Sequence, residues 1–277
     1  MSATTSSEAA ELSPLARAFA AARAGRRAAL IPYVTAGHPS PAETPAVLLA
    51  LADAGADVIE LGVPFSDPLA DGPTIQRSSF EAIRQGADLR WTLEALAGFR
   101  AARPTPVVLF TYLNPVLRYG VERFLADAAA AGAQGVLLTD LPVGADPELE
   151  ATFAASPLDL IRLVAPTTTP ARAREIAAAA RGFLYYVSRT GVTGAREELA
   201  AGLEREVAAL RAATPVPVAV GFGISTPRQA ATVARIADGV VVGSALVERL
   251  GEGGVEAGRA FVAALRGAMG GEARVES

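Results

Sequence analysis

Residues 218–243 read VAVGFGISTPRQAATVARIADGVVVG. Two short apolar runs, Val218–Gly223 and Gly239–Gly243, frame an Ala- and Arg-bearing segment. Neither run alternates cleanly between apolar and polar, which is how strands covered on both faces read. Between them, Thr226-Pro227 puts a hydroxyl cap ahead of an early proline and predicts a helix over Pro227–Ala234. Strand, helix and strand in this space make a parallel βαβ unit.

The same unit recurs along the chain. Strands are predicted at Leu30–Thr35, Val58–Gly62, Val107–Tyr112, Gly135–Thr139, Leu160–Ala165 and Phe183–Ser188. Helices are predicted over Ala46–Asp53, Val121–Ala131, Pro170–Ala180 and Glu197–Ala212, with hydroxyl-proline starts at Ser40-Pro41 and Thr169-Pro170. Gly55 and Gly132 mark helix ends. Eight βα units in 277 residues favour an α/β fold of one kind, a single (β/α)8 TIM barrel, over an open doubly wound sheet. An extra helix over Leu12–Ala24 precedes the first strand and could plug the bottom of the barrel. One domain over residues 1–277 is expected, with 1–11 and 270–277 as flexible tails.

Composition limits the chemistry. Hydrophobic residues make up 51% and charged residues 19%, enough apolar matter for a large core. A net charge of −4 points to no nucleic-acid or anionic-membrane partner. There is no cysteine and one histidine, His38, so a thiolate or multi-histidine metal site cannot be built, and no metal or cofactor is expected. All 25 basic residues are arginine. Without lysine there is no Schiff-base aldolase, no covalent pyridoxal phosphate site and no P-loop lysine. Met1–Pro14 does not read as a secretory signal, and no apolar run approaches the roughly 18 residues of a membrane span, so a cytoplasmic location is expected.

In a barrel of this kind the chemistry sits where strands end and βα loops begin. Glu60 falls near the end of the second predicted strand, between Ile59 and Leu61. A carboxyl buried there would have a raised pKa, suited to general acid/base work; the plainer alternative is a carboxylate turned to solvent or paired with an arginine. Asp71 lies in the following Gly-, Pro- and Asp-rich loop, just before a helix start, where capping would be its ordinary role. Two carboxylates in unlike surroundings can also divide acid and base roles.

The uninterrupted stretch ELGVPFSDPLADGPTIQ at 60–76 resembles the signature of tryptophan synthase alpha subunits. The resemblance continues through YVTAG at 33–37, SRTGVTG at 188–194, GFGIS at 221–225 and GSA at 243–245, in the family's order and over nearly all the chain from Leu30. It implies that Glu60 and Asp71 are the catalytic pair and that Tyr185 lines the site near both. Tyr33, Phe110 and Phe222 would then lie against an indole ring. Thr193 would sit in a mobile loop, and Gly194, Gly223, Gly243 and Ser244 would cradle a phosphate. Glycines beside helix N-termini suit that last role physically, because they let backbone amides approach an anion closely.

The implied reaction is retro-aldol cleavage of indole-3-glycerol phosphate into indole and glyceraldehyde 3-phosphate. The implied partner is a beta subunit in an alpha-beta-beta-alpha heterotetramer, contacted by the loop holding Asp67 and Pro68. Closure of Thr190–Gly194 would couple the two subunits. Alternatives are a stand-alone lyase releasing free indole, a silent activator of the beta subunit, or another phosphate-binding barrel. His38 is read as a loop residue, Asn114-Pro115 as a turn, and the Arg-bearing segments Arg17–Arg27 and Arg172–Arg181 as solvated helix faces. The stretch Val143–Pro147 departs from the acidic helix start seen in the family, which concerns packing or partner contact rather than chemistry.

Overall fold

A computed structural model describes residues 12–188, 197–221 and 223–270. The strands are β1 (Ala29–Thr35), β2 (Ile59–Gly62), β3 (Val107–Thr111), β4 (Gly135–Leu138), β5 (Asp159–Val164), β6 (Leu184–Val187), β7 (Val218–Gly221) and β8 (Gly239–Val242). Every pair is parallel, and β1 closes on β8 through Leu30 opposite Val240, so the sheet is a closed barrel. The open-sheet alternative fails at that closure. No helix among the described residues is long and apolar enough to cross a membrane.

The helices are α1 (Pro14–Ala24), α2 (Thr44–Asp53), α3 (Pro73–Arg84), α4 (Leu89–Ala102), α5 (Leu113–Tyr119), α6 (Val121–Ala130), α7 (Pro147–Ala154), α8 (Pro170–Ala178), α9 (Glu197–Ala213), α10 (Pro227–Ile236) and α11 (Ser244–Met269). Two helices instead of one follow both β2 and β3. Asn114-Pro115 is not a turn: both residues lie in the first turn of α5, where a proline's missing N–H has no intrahelical partner to lose. The Val143–Pro147 stretch does start a helix. Asp146 accepts the Leu149 N–H at 3.0 Å, Pro147 is the first helical residue, and Glu148 and Glu150 lie in the first turn.

Alternation along the strands divides the apolar residues into two cores. Ile59, Leu61, Val136, Leu138, Leu160 and Val164 face the helices. Ile31, Val58, Val108, Leu137, Ile161 and Val241 fill the barrel together with Leu15 and Phe19 of α1. Helix α1 closes the bottom: Phe19 packs on Phe183 with ring centroids 5.4 Å apart. Glycines make its seat. A Cβ at Gly239 would lie 2.9 Å from Phe19, and one at Gly182 or Gly135 would lie 2.9 Å or 3.0 Å from Leu15.

Three aspartates brace this lower rim. Asp57 takes a two-pronged contact from Arg27 at 2.6 and 2.7 Å, another from Arg266 at 3.0 Å and the Leu30 N–H at 2.8 Å. Asp159 accepts Ser13 at 2.7 Å and pairs with Arg181 at 3.4 Å. Asp238 accepts the Val218 N–H at 3.0 Å and Arg211 at 3.2 Å. The reading of Arg17–Arg27 and Arg172–Arg181 as purely solvated faces is therefore corrected. Arg27 and Arg181 are drawn to strand-start carboxylates, and Arg172 donates to the Val143 carbonyl.

Candidate active site

The upper rim is built by the same alternation. Val58 faces the barrel while Ile59 and Leu61 face the helices, so Glu60 turns inward. It stands opposite Tyr33 on β1 and Val108 on β3. Glu60 is 1% exposed, and neither carboxyl oxygen has a hydrogen-bond partner among the described residues. Both plainer readings, exposure to solvent and pairing with an arginine, fail. Burial pushes its pKa up to about 8, so it is a neutral acid at neutral pH.

Asp71 comes from the loop between β2 and α3. It does not cap that helix: the N-cap is Gly72, which makes no side-chain cap bond. Burial raises the Asp71 carboxyl to about 6, while the Tyr112 hydroxyl, donating to Oδ2 at 2.9 Å, works in the opposite direction. The loop is held from α3. Gln76 Nε2 donates to the Asp71 carbonyl at 2.9 Å and to that of Pro68 at 3.3 Å, and Phe65 N–H donates to Ser79 at 2.9 Å. Leu69, next to Asp67 and Pro68, is 89% exposed at the tip.

Aromatic side chains complete the cup. Tyr33 and Phe110 meet edge to face at 5.2 Å. Burial raises the pKa of the Tyr185 hydroxyl, and the negative charges of Glu60 and Asp71 raise it further, which places the three together. Tyr33 is raised by burial and then by the nearby Asp71. Glycine again makes the room: a Cβ at Gly62 would lie 2.2 Å from the Tyr33 hydroxyl. Of the expected residues, Glu60, Asp71, Tyr33, Phe110 and Tyr185 thus converge. Thr193, Gly194 and Phe222 lie outside the described residues, as does the whole of the Thr190–Gly194 loop within 189–196.

Gly223 and Gly243 follow β7 and β8. Gly223 has φ +69, a left-handed conformation that glycine adopts without strain. Helix α10 satisfies its own N-terminus through a capping box in which Gln229 accepts the N–H groups of Ser225 and Thr226 at 2.8 and 3.1 Å. Helix α11 differs: its N-cap is Gly243, with no side-chain cap, followed by exposed Ser244. Its positive end is the better seat for an anion.

Sequence reasoning gave no role to three features. Tyr112 lies two residues beyond Phe110, so counting by twos would have carried it to the rim. His38 lies in the loop after β1, as expected, but is buried there, with Nε2 3.0 Å from the Val247 carbonyl, tying that loop to α11. Arg162, on the outer face of β5, pairs with Glu150 of α7 at 2.5 Å; only its interruption of an apolar run could have flagged it.

Residues 19–269 match the family model described as tryptophan synthase alpha chain. The chain is 51% identical over 263 residues to the tryptophan synthase alpha chain of Geobacter sulfurreducens, covering 94% of this chain and all of that one. It is 50% identical over 275 residues to that of Acidiphilium cryptum, covering 95% and 99%. Among solved structures, a chain of Mycobacterium tuberculosis tryptophan synthase superposes with a TM-score of 0.86 at 42% identity, covering 96% of this chain and all of that one. The alpha subunit from Legionella pneumophila gives 0.86 at 36% identity, covering 94% and 99%. With a closed eightfold barrel, a matching family model over nearly its whole length and relatives at half identity end to end, the chain belongs to the tryptophan synthase alpha chain family.

Proposed function

We propose that the cup at the top of the barrel cleaves indole-3-glycerol phosphate, with Glu60 and Asp71 as the catalytic residues. The reading rests above all on one observation: a buried Glu60 carboxyl facing inward, with no hydrogen-bond partner among the described residues, beside a second carboxylate that titrates lower.

The chemistry follows from that difference. Neutral Glu60 donates its proton to C3 of the indole ring, which becomes an indolenine-like cation. Asp71, ionised, accepts a hydrogen bond from the ring N–H and stabilises the charge developing there. Glu60, now a carboxylate, takes the proton of the hydroxyl on the carbon attached to C3. The C3–carbon bond breaks, its electron pair returns to the ring, and indole and glyceraldehyde 3-phosphate result. Glu60 ends protonated, as it began. The ring is the electron sink, so the step needs no group beyond the two carboxyls. Tyr33 and Phe110 face the ring, and Tyr185 orients it against the pair. Gly223, Gly243 and Ser244, with Gly194, receive the phosphate at the uncapped start of α11.

The family pairs alpha chains with a beta subunit. We place that subunit on the loop bearing Asp67, Pro68 and exposed Leu69, in an alpha-beta-beta-alpha assembly in the cytoplasm. The test is release of indole from indole-3-glycerol phosphate by the purified chain, with and without a beta subunit, beside Glu60→Gln. Slow cleavage alone, acceleration by the partner and near-complete loss in the variant support the reading. Fast, partner-independent cleavage means a stand-alone lyase. No cleavage, with the beta subunit still activated, means a silent partner.

A further inference from the structure

The mechanism leaves one buried hydroxyl at the rim unused. Tyr112 follows β3 directly, and its ring packs on Phe65 with centroids 5.2 Å apart. Its oxygen accepts the Ala70 N–H at 3.0 Å. A phenol has one proton to give, and here it goes to Asp71 Oδ2 at 2.9 Å. A donor feeding the oxygen from behind polarises the O–H and strengthens the bond it makes forward. The backbone of the loop has its own anchor in Gln76, so the Tyr112 proton acts on the carboxylate rather than on the course of the chain.

We infer that Tyr112 is a positioning residue for the cleavage reaction, fixing the orientation and the charge of Asp71 so that it can receive the ring N–H. The inference deepens the function proposed above and rests on it. Burial works against ionisation of Asp71, and the titratable groups around it come from several elements. Glu60 comes from β2 and Asp67 from the same loop; Tyr33 and Tyr185, from β1 and β6, stay neutral. Asp140, after β4, is engaged by the Leu113 N–H at 2.7 Å. Among the described residues, Tyr112 is the side chain that donates to the carboxylate.

The experiment is a carbon-13 NMR titration of the Asp71 carboxyl in the full chain, assigned with Asp71→Asn, in wild type and Tyr112→Phe. The phenyl ring of the variant keeps the contact with Phe65. Losing one hydrogen bond to an ionised group should move the Asp71 titration up by about one pH unit. The acidic limb of kcat/KM for indole release should move up by the same amount. Replacing tyrosine throughout by 3-fluorotyrosine, a stronger donor, should move Asp71 the other way without removing any ring. It serves as the deciding measurement should the phenylalanine variant fail to fold. An Asp71 titration that ignores both changes overturns the inference. Absence of cleavage by wild type would instead sink the proposed function, and the NMR titration would still decide what Tyr112 does to Asp71.

Discussion

The hydroxyl of Tyr185 stands 2.3 Å from where a side chain at Gly221 would begin. The two residues are on neighbouring strands, with Tyr185 opposite Ala219 and Val187 opposite Gly221. The tyrosine leans across the glycine, so Gly221 sets how deep Tyr185 lies in the cup.

Gly221→Ala should therefore act on chemistry as well as on packing. Overpacking costs about 1–3 kcal/mol, and a tyrosine displaced from the carboxyl pair should lower kcat more than it raises KM. Urea unfolding and steady-state indole release measure the two effects. Adding Tyr185→Phe removes the closest atom and should return part of the stability but not the activity. A Gly221→Ala protein with unchanged kcat would show that the depth of Tyr185 is immaterial.

The carboxyl values predict a bell-shaped kcat/KM. Asp71 must be ionised and Glu60 protonated, so activity should rise through about pH 6 and fall through about pH 8. Asp71→Asn should erase the acidic limb along with most of the activity. A profile flat from pH 5 to 9 would contradict the assignment.

Glu60 should also cost stability. Its pKa is raised from an ordinary 4.5 to about 8 on folding, so the folded chain holds the proton more tightly than the unfolded chain does. Between those two values the folded state binds more protons, and stability falls as pH rises through the interval, levelling off above about 8. Glu60→Gln removes the ionisable group. The variant should match wild type near pH 4 and exceed it at pH 9 by a few kcal/mol, on the order of the shift at about 1.4 kcal/mol per unit. Chemical denaturation at the two pH values tests the crossover.

Arg162 makes a different demand. It is 6% exposed, held by Glu150 at 2.5 Å and by the Leu141 carbonyl at 3.3 Å. Burial lowers its pKa, and the neighbouring Glu150 charge opposes that. Glu150→Ala would strand the guanidinium and should cost about 3–5 kcal/mol, whereas replacing both by leucine and methionine should cost far less. A urea-melt double-mutant cycle reads the difference, with kcat unchanged because the pair lies outside the barrel wall.

Much of this was legible in the sequence. The eight strands read as continuous apolar runs because helices cover one face and the barrel interior the other, and the expected ends fall within two residues of those observed. Misplaced residues lie mostly at the upper rim, where Tyr112, Thr139, Ala165, Ser188 and Gly243 read as strand but fall just past its observed end. Glu60 was conspicuous because a carboxylate between Ile and Leu defies its surroundings. Tyr112 was not, since an aromatic at the end of a strand is ordinary and its partner Asp71 is 41 residues away. The Glu150–Arg162 pair and the three strand-start aspartates were hidden for the same reason. Each joins residues of different secondary-structure elements, and local periodicity carries no information about such contacts.

The glycine seat under α1 bears on how the chain is made. Helix α1 is synthesised before the barrel strands, yet Gly135 and Gly239 begin β4 and β8 and Gly182 lies just ahead of β6. Its seat is incomplete until β8 has been added and closed on β1. Through synthesis, Leu15, Phe19 and Ala22 must wait as an unburied apolar stripe for partners as far downstream as Gly239. Long-range docking of that kind is slow to form and pays its loop-closure entropy last. The helix that precedes the eight strands is thus the cork of the barrel, and it can be set only when the last stave is in place.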